Sequence, residues 1–292
     1  MKIDSSSYHI KVIGEKFSIS INKYNGFINE FKINDFIAIV DGSKHNFWRA
    51  PTDNDYGANT PNKYKEWKFI GEKRGTINYN LEFRSNQFVK LTFKEKIFGG
   101  DADLVKIYTI YPNGSIKISN ALEVLKGSHS PIYKFGDLFE LSDDFKYCKW
   151  YGNGPEESYV DRKSSVKIGN YQLPIKDMFT AYARPQENGN RTDVKWVSLF
   201  TEKGFQLKIS SENSFNFSAI NQRIEDLDSG YDKRLTQSHG KLLNRRKNVF
   251  LSVDGFSSGL GCVNSWGAIP RDEYLLPYKS YKFNYWFSRI EN

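Results

Sequence analysis

Apolar and polar residues alternate with a period of two along most of this chain, and that spacing rules out a helical fold. Val89, Leu91 and Phe93 are interleaved with Lys90, Thr92 and Lys94, the signature of a strand with one face in water. The same period returns at residues 17–21, 105–111, 205–209, 249–253 and 281–287. Between two such runs stands Tyr111-Pro112-Asn113-Gly114-Ser115, and Asn25-Gly26 separates two others. Both read as hairpin turns, so most neighbouring strands should be antiparallel. Aromatic residues reach 16% while there are only 2 Met, so flat bulky side chains, which suit strands, build the interior.

A length of 292 residues fits one large all-β domain or two smaller ones. The economical reading is a single antiparallel sandwich over residues 1–292. The alternative is two β domains meeting near residues 141–150. One stretch, residues 235–246, is expected to be helical. Residues 49–67 form a polar, aperiodic segment too long for an ordinary connection, and such loops are usually functional or face a partner. Trp150, Trp196 and Trp286 lie in strand-like runs and read as core.

Several function classes fall away. Charged residues make up 26% with both signs interspersed, which excludes disorder for most of the chain. The net charge of +8 is mostly scattered lysine. Its densest patch, Lys241 with Arg245, Arg246 and Lys247, reads as a solvated basic face rather than a nucleic-acid surface. No apolar run of 18 residues and no leader pattern in residues 1–10 appears, so a cytoplasmic protein with no membrane contact is expected. Cys148 and Cys262 form no paired motif and read as buried free thiols. His9, His45, His129 and His239 stand apart with no metal-ligand spacing, so no metal is expected on this chain. Nucleophile-elbow and phosphate-loop motifs are missing.

Two sets of loop residues remain as candidates. Glu156, Glu157, Asp161, Glu187 and Asp193 lie in Gly- and Pro-rich segments where acids could gather for sugar chemistry. The simpler reading is that they are acids that cap loops and pair with cations. Trp266 sits in Gly261-Cys262-Val263-Asn264-Ser265-Trp266-Gly267, among small and polar residues. Its indole is either presented on a loop, where its flat face suits a sugar ring, or closes the end of the sandwich as core.

Four segments together resemble a known family. They are Phe47-Trp48-Arg49-Ala50-Pro51-Thr52-Asp53-Asn54-Asp55-Tyr56-Gly57, Trp150-Tyr151-Gly152-Asn153-Gly154-Pro155-Glu156-Glu157 continuing to Asp161-Arg162, Arg184-Pro185-Gln186-Glu187-Asn188-Gly189-Asn190-Arg191, and Asp254-Gly255-Phe256 through Trp266-Gly267. In order and spacing they resemble the C-terminal domain of family 2 β-galactosidases, encoded in some bacteria as a separate small subunit. The resemblance implies a galactose-mutarotase-like supersandwich. It implies a non-catalytic subunit that completes the pocket of a large subunit for hydrolysis of lactose and other β-galactosides. The catalytic glutamates and the magnesium and sodium sites are implied on that partner's barrel, with no cofactor on this chain. Trp266 would then stack on substrate, and Asp55, Tyr56 and Gly57 would begin a loop that moves near the pocket. The fold relation leaves a second reading, a free-standing aldose 1-epimerase-like or carbohydrate-binding protein, although none of the four histidines maps onto an epimerase motif.

Overall fold

The computed structural model describes residues 1–72, 77–84, 87–228, 230–231, 243, 245–261, 263–264 and 266–290. Sixteen strands carry the fold: β1 (Lys2–Ser5), β2 (His9–Ile13), β3 (Phe17–Asn22), β4 (Ile28–Ile33), β5 (Phe36–Asn46), β6 (Ile77–Arg84), β7 (Phe88–Ile97) and β8 (Ala102–Ile110). They continue with β9 (Ile116–Val124), β10 (Lys134–Leu141), β11 (Phe145–Gly154), β12 (Lys167–Pro174), β13 (Arg191–Thr201), β14 (Gln206–Ile220), β15 (Val249–Ser257) and β16 (Tyr281–Ile290). Every pairing between these strands is antiparallel. Asn25-Gly26 turns β3 into β4, and residues 111–115 turn β8 into β9, as the turn chemistry predicts.

The hydrogen-bonded order runs β1-β2-β3-β4-β5-β10-β15-β14-β16-β9-β8-β7-β6, with β13, β11 and β12 branching from β14. The fold turns on β14. Its first residues, Gln206 to Ser210, pair with β16, while Asn216 to Ile220 pair with β15. One strand thus feeds two leaves, and those leaves lie face to face. Phe139 on β10 meets Phe287 on β16 with ring centroids 5.0 Å apart, and Phe135 meets Tyr281 at 5.7 Å. Chain from both sides of residues 141–150 enters these sheets, because β10 pairs with β5 on one edge and β15 on the other.

Alternation decides which side chains reach the core. Val89, Leu91 and Phe93 are buried, whereas Lys90 and Thr92 between them are not. The same rule corrects the expectation for two tryptophans. Tyr285 and Phe287 point inward, so Trp286 points outward, half-covered under Lys117; Trp196 is likewise half-covered, under Lys208. Trp150 is core, as expected, and Cys148 is a buried free thiol. A charged pair crosses the sandwich interior, where Lys106 on β8 meets Asp137 on β10, and Tyr285 donates to the same carboxylate at 2.5 Å. Burying such a pair is tolerable only because every polar arm finds a partner.

Among the described residues helices are few and short. Residues 235–246 lie mostly outside the described residues. The aperiodic segment 49–67 contains α1 (Asp53–Gly57), α2 (Thr60–Lys63) and the start of α3 (Lys65–Glu72), and α4 (Ile224–Leu227) follows β14. These turns are too short for an apolar period to register. Local caps hold them: Thr52 for α1, and Pro61 in the first turn of α2, where a missing N–H leaves nothing unsatisfied. No described helix is long and apolar enough to cross a membrane.

Candidate functional site

The first resembling segment folds around a reciprocal cap. Asp55 Oδ2 accepts from Thr52 N at 2.8 Å and from Thr52 Oγ1 at 3.0 Å, and Asp55 N donates back to Thr52 Oγ1, the arrangement of a capping box with aspartate in place of glutamate. The same carboxylate receives Arg49 Nη2 at 2.9 and 3.1 Å. Both residues are buried, at 1% and 4% exposure. Burial opposes the charge on Arg49, but the Asp55 carboxylate more than offsets it, and the guanidinium pKa is raised above its ordinary value. With its other arm, Arg49 donates to the carbonyls of Ser258 and Gly259 at 3.2 and 2.9 Å.

Those carbonyls begin the loop that carries Trp266. Asp161, from the second segment, accepts from the amides of Leu260 at 3.0 Å and Gly261 at 2.9 Å. Asn54 donates its side-chain amide to the Gly261 carbonyl. Asn264 Oδ1 accepts from the amides of Trp266 and Ala268 at 3.0 and 3.2 Å. Backbone meets backbone at two glycines: a Cβ on Gly57 would lie 2.4 Å from the Trp266 carbonyl oxygen, and one on Gly267, at φ +110°, would lie 2.3 Å from the Gly57 carbonyl carbon. Only glycine permits that approach.

The result is a pinned backbone that presents an uncovered side chain. Trp266 is 83% exposed, flanked by Val263 at 71% and Ile269 at 50%. Of its two sequence readings, the exposed one holds. The structure brings Gly57 and Trp266 together, turns Asp55 inward to Arg49, and ties the Tyr56 hydroxyl to the Gly230 carbonyl at 2.9 Å. Among residues 49–67 the exposed positions are Gly57, Asn59, Asn62, Lys63 and Lys65. That face is polar, whereas the Trp266 loop carries three exposed large apolar side chains, Val263, Trp266 and Ile269.

The loop acids act mainly as supports. Glu157 pairs with Arg162 at 2.5 Å, accepts from the Gly189 amide at 2.9 Å and receives the Tyr182 hydroxyl; burial and this carboxylate push the tyrosine up to about 12. Asp193 pairs with Lys163 at 2.8 Å and accepts from Asn153 at 2.8 Å, while Glu156 is exposed. Glu187 meets Lys134 at 2.7 Å, and Lys134 also faces Asp254 at 3.4 Å. Burial pushes the Asp254 carboxyl up to about 6, against the pull of Lys134 and Asn46.

The histidines are dispersed. His9 contacts Asn29, His45 stacks on Phe47, and His129 sits between Glu66 and Asp101 at 3.1 Å each while stacking on Phe98. His239 lies outside the described residues. The loop supports, Arg49 and Asp161 above all, were invisible as such in the sequence, since nothing local says which distant carbonyls or amides they will meet. The pattern Thr52-x-x-Asp55 was the available clue to α1.

The Beta galactosidase small chain family model matches residues 13–287. The chain is 29% identical over 281 residues to a Beta-galactosidase of Halalkalibacterium halodurans, covering 94% of this chain and 27% of that protein. It is 28% identical over 298 residues to one of Oenococcus oeni, covering 98% of this chain and 28% of the relative. It therefore spans about a quarter of the length of these curated relatives. Among solved structures, a galactose 1-epimerase from Lactobacillus acidophilus aligns with TM-score 0.55 at 8% identity, covering 100% of this chain and 98% of that one. A galactose mutarotase related enzyme from the same organism aligns with TM-score 0.52 at 10% identity, covering 97% of both chains. At such identities the likeness concerns the fold, which is galactose-mutarotase-like.

Proposed function

Since the chain belongs to the beta-galactosidase small-chain family, we propose that it is the non-catalytic small subunit of a β-galactosidase. In this reading it completes the sugar pocket of a large subunit whose barrel carries the catalytic pair. One observation carries the proposal: Trp266 is 83% exposed on a loop whose backbone is fixed by Arg49, Asn54, Asp161 and Gly57. A folded chain seldom invests several hydrogen-bonding side chains in holding a bare indole unless the indole meets something outside. A galactoside offers an apolar ring face to such an indole, and a preordered platform loses little entropy on contact. Neighbouring Val263 and Ile269 extend the apolar surface that a partner would cover.

Of the candidate loop acids, Glu157, Asp161, Glu187 and Asp193 are engaged in ion pairs or backbone hydrogen bonds and Glu156 stands exposed, so the acid and nucleophile are assigned to the partner. In the same reading the segment from Asp55 to Gly57, in backbone contact with the Trp266 loop, shifts with that loop as substrate moves in the pocket. The test is activity on a chromogenic β-galactoside, for this chain alone, for a barrel-bearing large subunit alone, and for the mixture. Hydrolysis in the mixture, with none from this chain, is the expected result. Substantial metal-independent hydrolysis by this chain alone would overturn the assignment.

A further inference from the structure

A cleft of about 210 Å³ lies on the face of the β5–β10–β15–β14 sheet that points away from the sandwich core. Alternation places its lining: Phe139, Leu251 and Val253 turn into the core, while Leu138, Phe250 and Ser252 turn outward, and Leu138 and Ser252 face each other across the strands. We propose that this cleft, separate from the Trp266 loop, binds one neutral, polyhydroxylated molecule the size of a monosaccharide. At about 30 Å³ per liquid water, the volume corresponds to roughly seven waters, the scale of one sugar ring and below that of drug-sized pockets.

Three features select this chemistry. The first is Gln222, which lines the cleft at 5% exposure and whose buried amide oxygen has no hydrogen-bond partner among the described residues. Buried polar atoms are nearly always satisfied, so a ligand hydroxyl is the missing donor. The second is charge balance: four cationic and four anionic side chains line the cleft, and they are largely paired with each other. Lys44 meets Asp41 at 2.5 Å, Arg223 meets Glu140 at 2.6 Å and Lys134 meets Glu187 at 2.7 Å. No net field remains to favour an anion or a cation. The third is the mixed floor, where the Ser218 and Ser252 hydroxyls, 3.0 Å apart, adjoin Phe250 and Ile220. Hydroxyls beside an apolar ring match the two-sided surface of a sugar.

The experiment uses the free full-length chain and three hexoses of equal size and different charge: D-galactose, galacturonate and galactosamine. Saturation-transfer NMR and calorimetry should show saturable millimolar binding of galactose, at least tenfold tighter than of either charged analogue. Gln222→Leu should weaken it at least tenfold, Ser252→Ala to a smaller degree, and Trp266→Ala should leave it unchanged. Should Gln222→Leu fail to fold, transfer from bound galactose to the Phe250 ring protons in the wild-type chain decides the location, and its absence rejects the site. Loss of binding in Trp266→Ala with retention in Gln222→Leu would overturn the proposal. So would preference for a charged hexose, or no saturable binding up to tens of millimolar.

Discussion

Replacing Trp266 with leucine separates a platform from a core residue by magnitude. At 83% exposure, about one sixth of the indole surface is covered within the chain, or roughly 40 Å² of the ~250 Å² a tryptophan can bury. At ~25 cal/mol per Å² that is worth about 1 kcal/mol at most, and leucine keeps part of it. Unfolding free energy by denaturant titration should therefore fall by less than about 1 kcal/mol, against the ~3–5 kcal/mol expected of a core aromatic. The uncovered remainder, roughly 200 Å², becomes available only to partner and sugar. Losing part of an apolar pocket contact typically costs ~1–3 kcal/mol in transition-state binding, roughly ten- to two-hundred-fold in kcat/KM. The assay is kcat/KM of the enzyme reconstituted with its large subunit, for hydrolysis and for transfer to a sugar acceptor. Transfer should suffer more, because a wall at the pocket mouth grips the group that leaves or attacks. An unfolding free energy lowered by several kcal/mol with unaltered kinetics in whatever folds would refute the reasoning. So would unaltered kinetics with unaltered stability.

Three further perturbations follow from the same geometry. Gly57→Ala places a methyl 2.4 Å from the Trp266 carbonyl oxygen; overpacking of ~1–3 kcal/mol outweighs the helical gain of ~1 kcal/mol, so the Trp266 loop should shift, seen as altered KM and altered acrylamide quenching, and identical values for both would sink the point. Asp55→Ala strands the buried Arg49 guanidinium and removes the cap of α1, so unfolding free energy should drop by about 3–5 kcal/mol; a drop under about 1 kcal/mol would show that the Ser258 and Gly259 carbonyls suffice. Asp254, pushed up to about 6, binds a proton in the native state that the unfolded chain, with an ordinary value near ~4, has lost. Its favourable contribution is full below about pH 4 and lost as pH rises through 6, roughly two units or ~3 kcal/mol. Asp254→Asn should gain on the wild type by about that amount between pH 4 and pH 7, and a pH-independent difference would contradict it.

The sequence by itself determined the strands, their antiparallel pairing at the two Gly-containing turns, and the burial of each alternate residue. These follow from the two-residue period, a local property. It also marked Trp266, because an aromatic among small polar residues has no strand to pack into. It did not show α1 and α2, which are shorter than any apolar period; α1 rests on the reciprocal cap of Thr52 and Asp55, and α2 carries Pro61 in its first turn. Alternation also sets Trp286 out of phase with the inward Tyr281, Phe283, Tyr285 and Phe287, and reading Trp196 and Trp286 as core by residue type alone overrode that period. Only the tertiary structure decided that Arg49, Asn54, Gly57 and Asp161 would converge on one loop, and that Gln222, its amide oxygen without a partner among the described residues, would line a charge-balanced cleft. Such contacts join residues as far apart as Arg49 and Gly259, and they hold because pairing in a low-dielectric interior offsets the cost of desolvating each polar group, which no local pattern encodes.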